Sequence, residues 1–183
     1  MNQGLIPKRY AKALLLAAPD RKAQQLLYSQ MNSIAAAFAA QPSLQATMAN
    51  PFVADSDKAS LIFAAAGCPQ APDPALENLL RVVEENGRMG MVRDIAIAYS
   101  QLYRKENNIA RVKVTSAAPM PEAEQLRLKN LITPHLGGGS MEYSFSVDPD
   151  LIGGFTVTID NQRLDASVKN ELKQLRLKLL SNK

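Results

Sequence analysis

The 183-residue sequence contains one cysteine, one histidine and no tryptophan, and aromatic residues make up only 5% of it. With Cys68 alone, no internal disulfide can form; a reducing compartment suits the chain, and the expected place of the thiol is partly buried, without chemistry. His135 stands beside Pro134 and just before three glycines, which points to a surface or loop residue rather than a metal ligand. Gly137, Gly138 and Gly139 lack the following Lys-Ser/Thr with which a phosphate loop holds nucleotide and magnesium. Asp148, Asp150, Asp160 and Asp165 do not have the spacing of a calcium loop, and turn or cap roles account for them better. No apolar run approaches the ~20 residues that cross a bilayer, and Leu14–Ala18 ends too soon, at Pro19-Asp20, to read as a secretory signal. No catalytic, cofactor-binding or metal-binding residue is therefore expected.

A concentrated charge of one sign is missing as well. Lysine and arginine number 21 against 17 aspartates and glutamates, a net charge of +4 that is scattered along the chain. Nucleic-acid binders gather their charge on one face and often interleave aromatics. Hydrophobic residues, at 46%, are ordinary for a globular protein, and the length suits one domain or two small ones.

What is present divides by periodicity. Through about residue 106 the apolar residues recur at helical spacing. A first helix is expected from Pro7 to Ala18, with Ile6, Tyr10, Ala13, Leu14 and Ala17 on one stripe and Pro7 in the first turn, where its missing N–H costs nothing. A second should run from Asp20 to Ala40, with Leu26, Leu27, Met31, Ile34, Ala35 and Phe38 inward. A short helix at 43–48 and a fourth ending near Ala66 follow, and a proline-rich link leads from Gly67 to Pro74. Asp73-Pro74 then opens a helix with Leu76, Leu79, Leu80 and Val83 inward, and Asn86-Gly87 closes it. A sixth helix covers about 90–105. Glu106-Asn107-Asn108 separates this all-helical part from one where Ala110, Val112 and Val114 alternate with polar residues as in a strand. A helix with Leu126, Leu128, Leu131 and Ile132 comes next.

The stretch from Ser144 to Leu180 carries the most information. Tyr143, Phe145 and Val147 alternate with polar residues, and so do Phe155, Val157 and Ile159. Between the two runs lie Asp148-Pro149-Asp150 and Ile152-Gly153-Gly154, where paired glycines at a strand's start suggest a bulge or a backbone too close for a Cβ. Asp160-Asn161 can turn the chain, and Asp165 is placed to cap a last helix on which Val168, Leu172, Leu175 and Leu179 share one face. The expected fold is a two-domain α plus α/β protein. A six-helix bundle at 1–106 precedes a small β-α-β-β-α domain at 109–183.

The run from Val147 to Gly154, then a strand, then Leu164-Asp165-Ala166-Ser167-Val168 and a leucine-rich helix, resembles the carboxyl-terminal signature of the delta subunit of F-type ATP synthase. That family includes the mitochondrial oligomycin-sensitivity-conferring protein. Arg9–Leu14, Glu84-Glu85-Asn86-Gly87-Arg88 and Val114–Ala117 are similar to further family segments, in the family's order, so the resemblance spans nearly the whole chain. Its signature positions here are Asp148, Leu151, Gly153, Gly154, Asp165 and Ser167.

The resemblance implies a non-catalytic, cofactor-free peripheral-stalk subunit of a proton-translocating synthase. It would link alpha subunits of the catalytic head, through domain 1–106, to the membrane-anchored b subunits, through domain 109–183, and resist rotation. It implies no nucleic acid and only indirect membrane association. A bacterial protein at the cytoplasmic face of the membrane is expected, because the chain begins with Met1 and shows no transit-like leader. The family's groove between the first and fifth helices puts Tyr10, Ala13, Leu14, Leu79 and Val83 at the alpha interface. With Phe155, Val157 and Ile159 facing Val168, Leu172 and Leu175 in a core, Lys173, Arg176, Leu177 and Leu180 are left for the b interface. The alternative is a basic module bound to nucleic acid or the ribosome, for which Lys169, Lys173, Arg176, Lys178 and Lys183 would supply the charge.

Overall fold

The computed structural model describes residues 4–68, 73–136, 139–160 and 162–181. The expectations for the link at 69–72, for Gly137 and Gly138, for the turn residue Asn161 and for Lys183 lie outside the described residues, as does that for the His135 side chain. The chain divides into two compact units, Met1–Arg104 and Lys105–Lys183.

Among the described residues six α-helices build the first unit: α1 (Leu5–Ala17), α2 (Arg21–Ala40), α3 (Pro42–Ala49), α4 (Asp55–Ala65), α5 (Pro74–Glu85) and α6 (Val92–Glu106), the last running two residues past the division. Local chemistry sets the ends of α5. The Asp73 carboxylate accepts the Ala75 N–H at 2.8 Å, satisfying one of the donors a helix start leaves unpaired, and Pro74 occupies the first turn. At the other end Gly87 adopts φ 64°. The Gly87 N–H donates to the Glu84 carbonyl and the Arg88 N–H to that of Val83, at 2.8 and 2.9 Å. This is the paired closure that a left-handed residue permits after a helix. The core gathers Leu27, Met31 and Ile34 of α2, Ile62 of α4, Leu76, Leu80 and Val83 of α5, and Ile95 and Tyr99 of α6. Tyr99 keeps its hydroxyl satisfied there by donating to the Gln24 carbonyl at 3.2 Å, and the rings of Tyr28 and Tyr103 stack at 4.5 Å. Cys68 is partly buried, with the Gln30 amide 3.8 Å from its sulfur.

The second unit contains β1 (Ile109–Ser116), α7 (Glu122–Ile132), β2 (Ser140–Val147), β3 (Gly154–Ile159), β4 (Gln162–Ser167) and α8 (Val168–Ser181). The strands form one sheet in the order β2-β1-β3-β4. β1 and β2 pair in parallel, and the other pairs are antiparallel. A parallel pair requires a crossover, and α7 supplies it. Register puts Val112 opposite Tyr143 and Ile159, and Val114 opposite Phe145 and Val157. These residues share one sheet face, which packs on Ile132 and Leu128 of α7.

The structure departs from the expected pattern in three places here. Gln162–Ser167 forms a strand that the sequence pattern does not announce, held by pairing with β3. Asp165 therefore lies within β4 and does not cap the last helix. Ser167 does so, its Oγ accepting the Asn170 N–H at 3.2 Å, while Asp165 accepts the Ser167 hydroxyl at 2.6 Å and its N–H at 3.1 Å. Finally, α8 does not cover the sheet. Leu172, Leu175 and Leu179 are 53%, 56% and 75% exposed, because α7 already occupies the apolar sheet face that their burial would need.

Candidate partner-docking surfaces

In the first unit the helical periodicity of α1 serves two purposes. Pro7, Ala11, Leu14 and Leu15 are its buried residues. Tyr10, Ala13 and Ala17, expected on the same stripe as Leu14, form with it one wall of an open trough of about 480 Å³ against α5. Asp73, Pro74, Ala75, Asn78, Leu79 and Val82 form the opposite wall, and Pro19 and Ala23 close one end. Alanines at 13, 17, 23 and 75 keep the walls low, so an incoming backbone can come close. The trough continues past Tyr10 into a second hollow of about 420 Å³ lined by Ile6, Arg9, Tyr10, Ala13, Val82 and Arg88.

Of the five residues expected at this surface, Tyr10, Ala13, Leu14 and Leu79 line the trough. Val83 does not: it is 0% exposed and belongs to the core, whereas its neighbour Val82, 41% exposed, faces the trough. Two adjacent valines cannot share a helix face, and the inward stripe of α5 claims the second of them. Sequence reasoning also missed Arg88. Its Nη1 donates to the Tyr10 hydroxyl oxygen at 2.9 Å, and its guanidinium carbon lies 6.0 Å from the centroid of that ring. The visible signal was the helix stop Asn86-Gly87, which fixes where the next side chain emerges.

The second unit offers α8. At 100° per residue, Val168, Leu172, Leu175 and Leu179 fall on one stripe, and the last three project into solvent. Lys173, Arg176, Leu177 and Leu180, the positions expected to meet a partner, are exposed too, but they lie to the side of that stripe or opposite it. Among the charged residues of α8, Lys169, Lys173, Arg176 and Lys178 outnumber Glu171.

The signature residues of the second unit form a structural corner. Asp148 accepts the Asp150 N–H at 3.1 Å, opening a single 3₁₀ turn that buries Leu151. A Cβ on Gly153 would stand 2.8 Å from a methyl of Val168, and one on Gly154 would run into the Ala166 carbonyl oxygen. Gly153 O accepts the Val168 N–H at 3.0 Å, so the start of β3, the end of β4 and the first turn of α8 are locked together there. Asp160 closes the next turn, its Oδ1 accepting the Arg111 N–H at 3.0 Å. The four aspartates that stand out in the sequence are thus occupied as turn and strand-end acceptors or exposed, and no cluster fit to hold a metal ion occurs among the described residues. Among them too, no helix is long and apolar enough to cross a membrane.

Comparison with known proteins gives a consistent result. The family model described as "ATP synthase delta (OSCP) subunit" matches residues 6–179. The chain is 34% identical over 183 residues to the "ATP synthase subunit delta" of Parabacteroides distasonis, covering 100% of both chains. It is 32% identical over 176 residues to that of Bacteroides fragilis, covering 96% of this chain and 94% of the relative. A chain in the cryo-EM structure of the Toxoplasma gondii mitochondrial ATP synthase hexamer superposes with a TM-score of 0.71, covering 95% of this chain and 97% of that one. At 22% identity, that superposition speaks for the fold.

Proposed function

From the premise that this chain belongs to the ATP synthase delta (OSCP) subunit family, and is thus a non-catalytic linking component of the peripheral stalk, we propose that each unit holds one partner. The helical unit receives an amino-terminal segment of an alpha subunit as an amphipathic helix in the α1–α5 trough, a recurring way of binding peptides. Tyr10, Ala13, Leu14, Leu79 and Val82 make the contact. The sheet unit binds the distal helices of the b subunits along the Val168–Leu172–Leu175–Leu179 stripe of α8. Arg176 meets acidic side chains beside it, and Lys173, Leu177 and Leu180, toward the opposite side of α8, make a separate, lesser contact with a second b helix. The protein works at the cytoplasmic face of a bacterial membrane, held there by its partners.

One observation carries this reading: each unit presents an apolar surface that no described residue of its own unit covers. Rotation in the catalytic head would drag the alpha/beta ring along unless an outer strut opposed the torque. A protein without active-site chemistry meets that need by holding the head through one unit and the stalk through the other. Two modest interfaces on one chain reinforce each other, because the first contact raises the effective concentration for the second.

The test is reconstitution of delta-depleted vesicles with the intact chain or with residues 1–105 and 106–183 added together. The intact chain restores ATP synthesis coupled to the ion gradient, whereas the unlinked pair binds both partners but does not. Full coupling by the pair would show the covalent bridge to be unnecessary. Separately, Leu172→Ser with Leu175→Ser should weaken b binding more than Leu177→Ser with Leu180→Ser. The reverse order in a direct binding assay would remove the stripe from the interface.

A further inference from the structure

The trough between α1 and α5 has charges of opposite sign at its two ends. Ile6 and Arg9 of α1 lie with Arg88 at one end, and Ala17 lies with Asp73 and Pro74 at the other, so the two helices run antiparallel. Their backbone dipoles oppose each other along the walls, which leaves side-chain charge to set the polarity of the trough. Among the described lining residues the charged side chains are Asp73 at one end and Arg9 and Arg88 at the other. Asp73 is held as the cap of α5. Arg88 is held by the Tyr10 hydroxyl, with the Tyr10 ring alongside. That bond uses one of the five N–H donors of a guanidinium, so a fixed cation overlooks the floor of the trough. From Ile6 to Ala17 the trough is about 16 Å long, or three turns of helix.

We propose that the trough selects the direction of the helix it receives. The peptide lies with its amino-terminal end at Asp73 and its carboxyl-terminal end at Arg88 and Arg9, parallel to α5. In this orientation the unpaired N–H groups of its first turn meet a carboxylate, and the unpaired carbonyls of its last turn meet two guanidinium groups. An acidic side chain near the carboxyl end of the peptide gains a charge-assisted bond to Arg88. In the opposite direction both ends face charges of the wrong sign. This inference rests on the proposal that the trough takes a peptide helix from an alpha subunit, and its test separates the two.

The probe is the amino-terminal peptide of the alpha subunit from the same organism, carrying a nitroxide at one end or the other and bound to the isotope-labelled full chain. The amino-terminal label should broaden the amide signals of Ala23 and Ala75, and the carboxyl-terminal label those of Ile6, Gly87 and Arg88. The exchanged pattern would overturn the direction while leaving the trough as the binding site. Broadening confined to other faces would overturn both. Changing the acidic side chain nearest the peptide's carboxyl end to lysine should weaken binding about tenfold. Arg88→Glu should weaken binding of the natural peptide similarly and restore that of the lysine peptide. Restoration would exclude a folding defect as the cause, and its absence, with the natural peptide weakened, would overturn the pairing with Arg88.

Discussion

The two units bury their apolar residues to very different extents. Among the described residues, 23 of the buried apolar side chains lie in the helical unit and 5 in the sheet unit; of the exposed large ones, 7 lie in the first and 11 in the second. The helical unit thus holds a core sufficient to itself and adds a surface trough. The sheet unit is organised around one thin layer between α7 and the sheet, and it leaves a whole helix, α8, with its leucines in water. The proposed docking surfaces arise differently in the two: in one the surface is carved between helices already packed, and in the other it is an element left over from packing. A trough of the first kind is pre-formed, so its partner meets little ordering cost, whereas α8 gains its burial only when a partner arrives.

The sharpest way to break the comparison is Gly154→Ala. At φ 74° an L side chain is strained, and the new methyl would run into the Ala166 carbonyl between β3 and β4. The sheet unit should lose its dispersed amide signals at ambient temperature while those of residues 4–104 stay unchanged. Loss of both sets would mean that the units do not fold independently.

Next in size is a matched pair of truncations. Leu80→Ala opens a cavity in the helical core and should destabilise the full chain by about 2–5 kcal/mol in chemical denaturation. Leu172→Ala removes a solvent-facing side chain and should stay within about 0.5 kcal/mol. A large effect at Leu172 would show that α8 packs within its own unit.

The smallest effect expected is an opposite response of the units to pH. Burial, then the neighbouring Tyr103 and Asp73, push the Tyr99 hydroxyl up to about 12 from 10.0. A group raised in this way contributes fully below its unfolded value and loses that contribution as pH climbs through the folded one, so the helical unit weakens between about pH 10 and 12. In the sheet unit, the hydrogen bond from the Ser167 hydroxyl holds the Asp165 carboxyl below the usual range, assisted by the Ser167 N–H and by Arg163. Its contribution is present above the ordinary carboxylate value of about 4 and is lost as pH falls through the lower folded one. Unit-resolved amide signals followed from pH 2 to 12 should show acid loosening the sheet corner and alkali loosening the bundle. Asp165→Asn should flatten the first response and Tyr99→Phe the second.

The helices of the bundle, three of the strands and the family itself were legible in the residues, because each rests on a local pattern. Asp73-Pro74 and Asn86-Gly87 delimit α5 through bonds made within a few residues of themselves, and Ile152-Gly153-Gly154 marked a backbone approach that the structure shows at Ala166. The trough was only partly legible. Tyr10, Ala13, Leu14 and Leu79 are on its walls, while Val83, expected there, belongs to the core and Val82 stands on the wall in its place.

A stripe of apolar residues states which face of an element avoids water, and not what covers that face. Leu172 and Leu175 looked like core residues for that reason, and only the crossover of α7 onto the same sheet face decided that they are surface. β4 has only the weak alternation of Leu164 and Ala166, both exposed, and is held because β3 offers it a row of backbone partners. Arg88 came to line the hollow beside the trough, where it donates a hydrogen bond to Tyr10, a residue 78 positions away. Periodicity, caps and glycine turns act over one or two turns of chain and can be read along it; cover, strand pairing and distant contacts depend on where the rest of the chain lies, and those the tertiary structure alone decided.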